Sequence, residues 1–113
     1  MHEFSLAEEV ISLAGREAEK HSARDISEIS IEVGSLSGVE ADAFESALRL
    51  LATNSILDHA QIKIVKTPGI GTCNSCGRDF EMDHRMASCP DCRCFPSSIS
   101  GGKEFRVISL VIE

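Results

Sequence analysis

The chain has 113 residues, 42% hydrophobic and 26% charged, which suits one domain or one domain with a small module and excludes a multidomain enzyme. Eleven Lys and Arg against eighteen Asp and Glu leave a net charge of −7, so no nucleic acid partner is expected, whereas metal cations or a basic protein surface suit the balance. Five Phe with no Trp or Tyr argue against an aromatic ligand pocket, and no apolar run approaches the roughly 20 residues that cross a bilayer. Met1-His2-Glu3 lacks a basic leader, and Glu8-Glu9 falls where an apolar signal core would lie, so the chain is expected to stay in the cytoplasm.

Ser5-Leu6-Ala7-Glu8 has the form of a capping box and predicts a helix over residues 5–21, with Leu6, Val10, Leu13, Ala14 and Ala18 on its buried face. From Ile26 the period becomes two: Ile29, Ile31 and Val33 alternate with Glu28, Ser30 and Glu32, the pattern of a half-buried strand. Gly34 and Gly38 mark a turn. Ser37-Gly38-Val39-Glu40 offers a second capping box, opening a helix to about residue 53 whose apolar side is Ala43, Phe44, Ala47, Leu48, Leu50 and Leu51. Ala60, Ile62 and Ile64 predict a second strand that ends near Thr67-Pro68-Gly69, and residues 105–112 a last strand with apolar groups on both faces.

This order predicts an α+β fold, two helices on one face of a small mixed β-sheet, interrupted by a zinc-ribbon-like four-cysteine module. Residues 1–68 with 103–113 form the α/β domain in this reading, and residues 69–102 the module. That segment has too few large apolar residues to fold on a core of its own, so a metal is expected to hold it together.

All five cysteines lie between positions 73 and 94. Cys73-Asn-Ser-Cys76 and Cys89-Pro-Asp-Cys92 are two C-x-x-C pairs separated by twelve residues, close to the spacing of four-thiolate zinc sites. Four soft sulfurs in a tetrahedron suit Zn(II) and leave no open position for catalysis, so no enzyme is expected. Gly77 follows the first pair and permits the positive φ of a tight knuckle; Arg93 stands at the matching place after the second, which predicts a strained or differently shaped turn there. Cys94 is open to three roles: an idle thiol, an alternative zinc ligand, or an oxidation-sensitive group.

The start of the chain offers the Met1 α-amine, the His2 amide and the His2 imidazole in sequence, a fused chelate of nitrogen donors that favours square-planar Ni(II) or Cu(II) over Zn(II). A fourth position is left for Glu3, His59 or His84. Affinity should rise with pH, because the amine must lose its proton to bind.

The opening Met-His-Glu-Phe-Ser-Leu, the segment Ile-Glu-Val-Gly-Ser-Leu-Ser-Gly-Val-Glu at 31–40, the paired C-x-x-C motifs with Cys89-Pro90-Asp91-Cys92, and the closing Gly102-Lys-Glu-Phe-Arg-Val together resemble the HypA/HybF family of hydrogenase maturation proteins. The resemblance spans essentially the whole chain. It implies a nickel metallochaperone that works with the HypB GTPase, supplies Ni(II) to the NiFe hydrogenase large subunit precursor, and in some bacteria also serves urease with its accessory proteins. It further implies nickel at His2 and the Met1 amine with Glu3 adjacent, zinc at Cys73, Cys76, Cys89 and Cys92 in a structural or regulatory role, and a monomer or homodimer. Where family members commonly carry Gly-Ser after the second pair, this chain has Arg93-Cys94. The alternative from a different class is a zinc-ribbon protein-interaction adaptor with an accidental Met-His-Glu start.

Overall fold

The alternating run after residue 26 becomes the central strand of the molecule. The computed structural model describes residues 2–113; Met1, the first candidate nickel donor, lies outside the described residues. In chain order the elements are α1 (Glu3–Lys20), β1 (Ile26–Gly34), α2 (Ala41–Ala52), β2 (Gln61–Thr67), β3 (Gly69–Cys73), β4 (Asp79–Met82), β5 (Pro96–Ser100) and β6 (Phe105–Ile112). β1 pairs with β2 in parallel on one side and with β6 antiparallel on the other, giving the small mixed sheet of an α+β fold.

Both helices begin differently from their capping-box readings. α1 is capped by His2 without a side-chain hydrogen bond, so Ser5 lies inside the helix; the Leu6 N–H already bonds the His2 carbonyl at 3.0 Å. Glu3 in the first turn places a carboxylate at the positive end of the helix, which favours the earlier start. Ahead of α2, Gly38 at φ 84° turns the chain away from helical geometry, so Ser37 cannot serve as the cap; its hydroxyl instead accepts the Val39 N–H at 3.2 Å. Glu40 takes the capping position, and its own carboxylate accepts the Ala43 N–H at 2.7 Å.

The core joins Ala7, Val10, Ala14 and Ala18 of α1 to Phe44, Ala47, Leu48 and Ala52 of α2 over Ile26, Ile29, Ile31 and Val33 of β1. Small side chains along α1 bring the two helices close, and the buried line therefore runs through Ala7 with Leu13 left partly exposed. Leu50 and Ala43, read as apolar-face residues of α2, are also exposed. Phe44 meets Phe105 edge to face at 4.9 Å between ring centroids. Ile26 and Ile29 both reach this core although they are three residues apart, because the β1–β6 register slips between Ile26 and Glu28; a second slip between Ser30 and Ile31 does the same for Val107 and Leu110.

Residues 69–102 contain a second antiparallel sheet, ordered β4-β3-β5. Its strands carry Gly, Thr, Ser and Pro where a strand usually carries branched residues, which hid them from periodicity. The buried cluster beneath is small: Cys73, Phe80, Met82 and Cys89 from this segment, completed by Leu36 from the loop after β1. That loop is stitched to both connecting stretches of chain. The Leu36 N–H bonds the Gly102 carbonyl at 2.6 Å, the Ser35 N–H bonds the Thr67 carbonyl at 2.8 Å, and the Ser35 hydroxyl reaches the Met82 carbonyl at 3.0 Å. Gly34 is required beside it, since a Cβ there would run into the Gly102 carbonyl. The two sheets share no strand and give an elongated body of 54 × 25 × 17 Å. No described helix is long and apolar enough to cross a membrane.

Candidate metal centres

Two C-x-x-C turns bring four thiols together. The sulfurs of Cys73, Cys76, Cys89 and Cys92 all lie within 4.8 Å of one another, with Cys76 and Cys89 at 3.8 Å. Zn–S bonds of about 2.3 Å arranged tetrahedrally require sulfur separations of about 3.8 Å, so the donor set and its spacing fit Zn(II) with little rearrangement. Cys73 and Cys89 are buried, Cys92 is half-buried and Cys76 is exposed.

The two knuckles have the same backbone geometry. In the first, the Gly77 N–H donates to the Cys73 carbonyl at 3.1 Å and the Cys73 N–H to the Arg78 carbonyl at 2.8 Å; in the second, the Arg93 N–H donates to the Cys89 carbonyl at 2.7 Å and the Cys89 N–H to the Cys94 carbonyl at 2.9 Å. Gly77 has φ 72° and Arg93 φ 61°. The second turn is therefore not differently shaped: Arg93 adopts the left-handed conformation that glycine supplies in the first, and carries the strain that the sequence predicts. An ion pair between Arg78 and Asp91 ties the knuckles together from outside.

The metal-free thiols are not equivalent. Cys73 is held down to about 6, chiefly because its sulfur accepts the Cys76 N–H at 3.4 Å, with the Ser75 N–H adding at 3.3 Å against the opposing effect of burial. Cys92 is pushed up to about 12 by its hydrogen bond with the Cys76 side chain, then by burial and by the sulfur of Cys73. A ready thiolate at Cys73 thus stands next to a retained proton at Cys92. Cys94 is outside the group of four; its thiol donates to the Cys92 carbonyl at 3.7 Å, and its own carbonyl holds the second knuckle.

At the other candidate centre, His2 is exposed at the head of α1, where the first backbone N–H groups have no partner within the helix. The Glu3 carboxylate accepts the Glu40 N–H at 3.2 Å, so the start of α1 is tied to the start of α2. Glu40 was legible only as part of a capping box, and nothing in the sequence marked its amide as this anchor. A cleft of about 270 Å³ opens beside Glu40 and is also lined by Lys66 and Asp83, facing the cysteine-bearing half of the chain. His59 and His84 are both exposed. Among the described residues neither is gathered with His2 and Glu3 into a three-ligand group; the His84 ring lies instead 3.5 Å from Asp83.

A family model described as "Hydrogenase/urease nickel incorporation, metallochaperone, hypA" matches residues 1–112. Among similar proteins, a hydrogenase maturation factor HypA of Francisella philomiragia is 37% identical over 111 residues, 98% of each chain. One of the same name from Parabacteroides distasonis is 36% identical over 113 residues, 100% of this chain and 98% of that one. The solution structure of the Ni metallochaperone HypA from Helicobacter pylori superposes with a TM-score of 0.65 at 26% identity, covering 99% of this chain and 97% of that one.

Proposed function

Because the chain belongs to the HypA family of hydrogenase and urease nickel-incorporation metallochaperones, we propose that it carries Ni(II) at its N-terminus and hands it on for assembly of a nickel enzyme. In this reading residues 1–68 with 103–113 form the nickel-handling unit and residues 69–102 the zinc unit. The nickel donors are the Met1 α-amine with the amide and imidazole nitrogens of His2, and Glu3 contributes beside them. The recipient is the NiFe hydrogenase large subunit precursor with HypB as the partner GTPase, and urease is the second client that the family description names.

The observation that carries the proposal is the placement of His2. It stands exposed at a helix start whose unspent amides can serve as donors without breaking a helical bond, and the bond from Glu40 to Glu3 fixes that start against α2. The positive end of α1 opposes a bound cation by about 0.3–1 kcal/mol, and the Glu3 charge offsets it. Such a site binds through nitrogen chelation yet releases its ion when a partner offers better donors.

Cys73, Cys76, Cys89 and Cys92 hold Zn(II) in the same proposal, and the bound ion would cross-link two knuckles that have only a small apolar cluster beneath them. A Ni(II) titration of zinc-loaded protein, followed by calorimetry and optical spectroscopy, tests the reading. The native chain is expected to take up about one nickel per chain. His2→Ala is expected to abolish that binding while leaving zinc content and thermal unfolding unchanged, whereas one added N-terminal glycine, which puts a second amide between the amine and the His2 imidazole, is expected to change the geometry and hence the optical spectrum of the bound nickel. Nickel retained at parental affinity by His2→Ala, or a nickel spectrum left unchanged by the added glycine, refutes the N-terminal site.

A further inference from the structure

The four sulfurs of the cysteine site are alike in chemistry and unlike in access. Cys73 and Cys89 are buried, Cys92 is half-buried, and Cys76 alone of the four is exposed. The Cys73 sulfur also accepts two backbone N–H bonds, from Ser75 at 3.3 Å and Cys76 at 3.4 Å, which draw charge from a thiolate and blunt it as a nucleophile. With a metal bound all four would be thiolates, so access to solvent, rather than retention of a proton, separates them. Cys76 is then the sulfur that an oxidant in solution meets first.

A second sulfur stands ready to complete the reaction. Cys89, on the opposite knuckle, lies 3.8 Å from Cys76. A disulfide requires the two sulfurs to close to about 2.05 Å, which is within the swing of two cysteine side chains. Cys94 is placed outside this exchange: it does not belong to the group of four, and its thiol turns to the Cys92 carbonyl at 3.7 Å. A bond from Cys76 to Cys89 also joins the same two knuckles that a shared ion would join, over the small buried cluster that Leu36, Phe80 and Met82 fill. The cysteine-bearing half can therefore stay closed after its metal has gone.

We propose that the four-cysteine site is a peroxide-sensitive switch, in which hydrogen peroxide joins Cys76 to Cys89 and the bound ion is released. The inference rests on the reading that these four cysteines hold Zn(II). In the first step the Cys76 thiolate attacks one oxygen of the peroxide; an S–O bond forms, the O–O bond breaks, and hydroxide leaves behind a sulfenic acid. In the second the Cys89 thiolate attacks that sulfur; the S–S bond forms, the S–O bond breaks, and a second hydroxide leaves. The two sulfurs together give up two electrons, and both peroxide oxygens end as hydroxide or water. Only the Cys73 and Cys92 thiolates are then left to the ion, too few to complete a tetrahedral site. A dithiol reductant returns the two electrons and restores all four ligands.

The test treats the zinc-loaded full chain with a small excess of hydrogen peroxide, reads released metal with a chromophoric chelator, and alkylates free thiols before digestion and mass spectrometry. A Cys76–Cys89 disulfide is expected to form in step with zinc release, with Cys94 fully alkylated and zinc taken up again after reduction by dithiothreitol. Dimedone present during oxidation should trap the sulfenic acid on Cys76, a readout that needs no variant. Cys94→Ser is expected to release zinc at the parental rate. A disulfide that includes Cys94 or closes within one C-x-x-C pair, dimedone on Cys94 in place of Cys76, or zinc retained by the chain that carries the Cys76–Cys89 bond each overturns the switch while leaving the zinc reading intact. Zinc missing from the untreated, reduced chain overturns the zinc reading itself, and the switch with it.

Discussion

Replacing Arg93 by glycine is expected to tighten the four-cysteine site, and Gly77→Arg to loosen it by a similar factor. Residues 77 and 93 occupy equivalent places in two knuckles with the same hydrogen bonds, and both have positive φ, 72° and 61°. An L-residue in the left-handed region costs about 1–2 kcal/mol, and glycine's greater freedom in the unfolded chain takes back about 0.5–1 kcal/mol. The net expectation is about 0.5–1 kcal/mol in favour of glycine. Sterics do not confuse the comparison, since a Cβ at Gly77 meets no atom within 4 Å and Arg93 is exposed with no ion pair among the described residues. Only the folded knuckle presents two sulfurs to one ion, so the difference passes into metal affinity: about two- to fivefold tighter for Arg93→Gly and weaker by the same range for Gly77→Arg. The double exchange should return close to the parental value. Competition against a chromophoric zinc chelator measures all four proteins. A Gly77→Arg variant that weakens binding while Arg93→Gly changes nothing would refute the equivalence of the two turns.

Two further outcomes follow from the geometry. In the metal-free site Cys73 ionises at about 6 and Cys92 at about 12, so between those values metal uptake releases the Cys92 proton and apparent affinity rises with pH; below about 6 the Cys73 thiolate is lost as well and the fall steepens. The same chelator competition run across roughly pH 5 to 8 should show this slope, and a flat profile contradicts the assignment of protons. Leu36→Ala should cost about 2–3 kcal/mol, because Leu36 is 3% exposed and completes a cluster of only five buried residues. Hydrogen exchange is expected to lose protection in β3 and β4 well before the core strand β1, and a uniform loss over both sheets would show that Leu36 does not serve the cysteine-bearing half in particular.

What the sequence made legible follows from how each feature is encoded. β1 and the inner line of α2 were readable because burial on one face imposes a period, and Ile29, Ile31 and Val33 obey it. The cysteine cluster was readable because its chemistry fixes both residue type and spacing, so the four sulfurs converge as the two C-x-x-C pairs predict. Helix starts were misread for a local reason: Ser5 and Ser37 satisfy a pattern, but Glu3 at the head of α1 and the φ of Gly38 decide where helical geometry can begin. β3 and β5 gave no periodic signal, since their residues are chosen for close backbone approach and for holding the knuckles rather than for packing. Leu36 and Glu40 were hidden for another reason, as each acts across the fold on a partner distant in the chain.

Residues 34–40 bear on both metal centres: Gly34 and Ser35 grip the connecting chain, Leu36 enters the cysteine cluster, and the Glu40 amide holds Glu3 beside His2. Under the proposed function this short loop is the fixed frame between a permanent site and a transient one. Donor chemistry keeps the two ions apart. Four thiolates, two of them buried, would retain a soft tetrahedral ion, whereas nitrogen donors centred on the exposed His2 at the positive end of a helix would suit a planar ion that leaves. A chain with the two donor sets interleaved would mix their preferences, and placing His2 at the head of α1 and the cysteines around the β4-β3-β5 sheet avoids that. Carriage then requires no catalytic group, only a site whose ligands a recipient can replace one at a time.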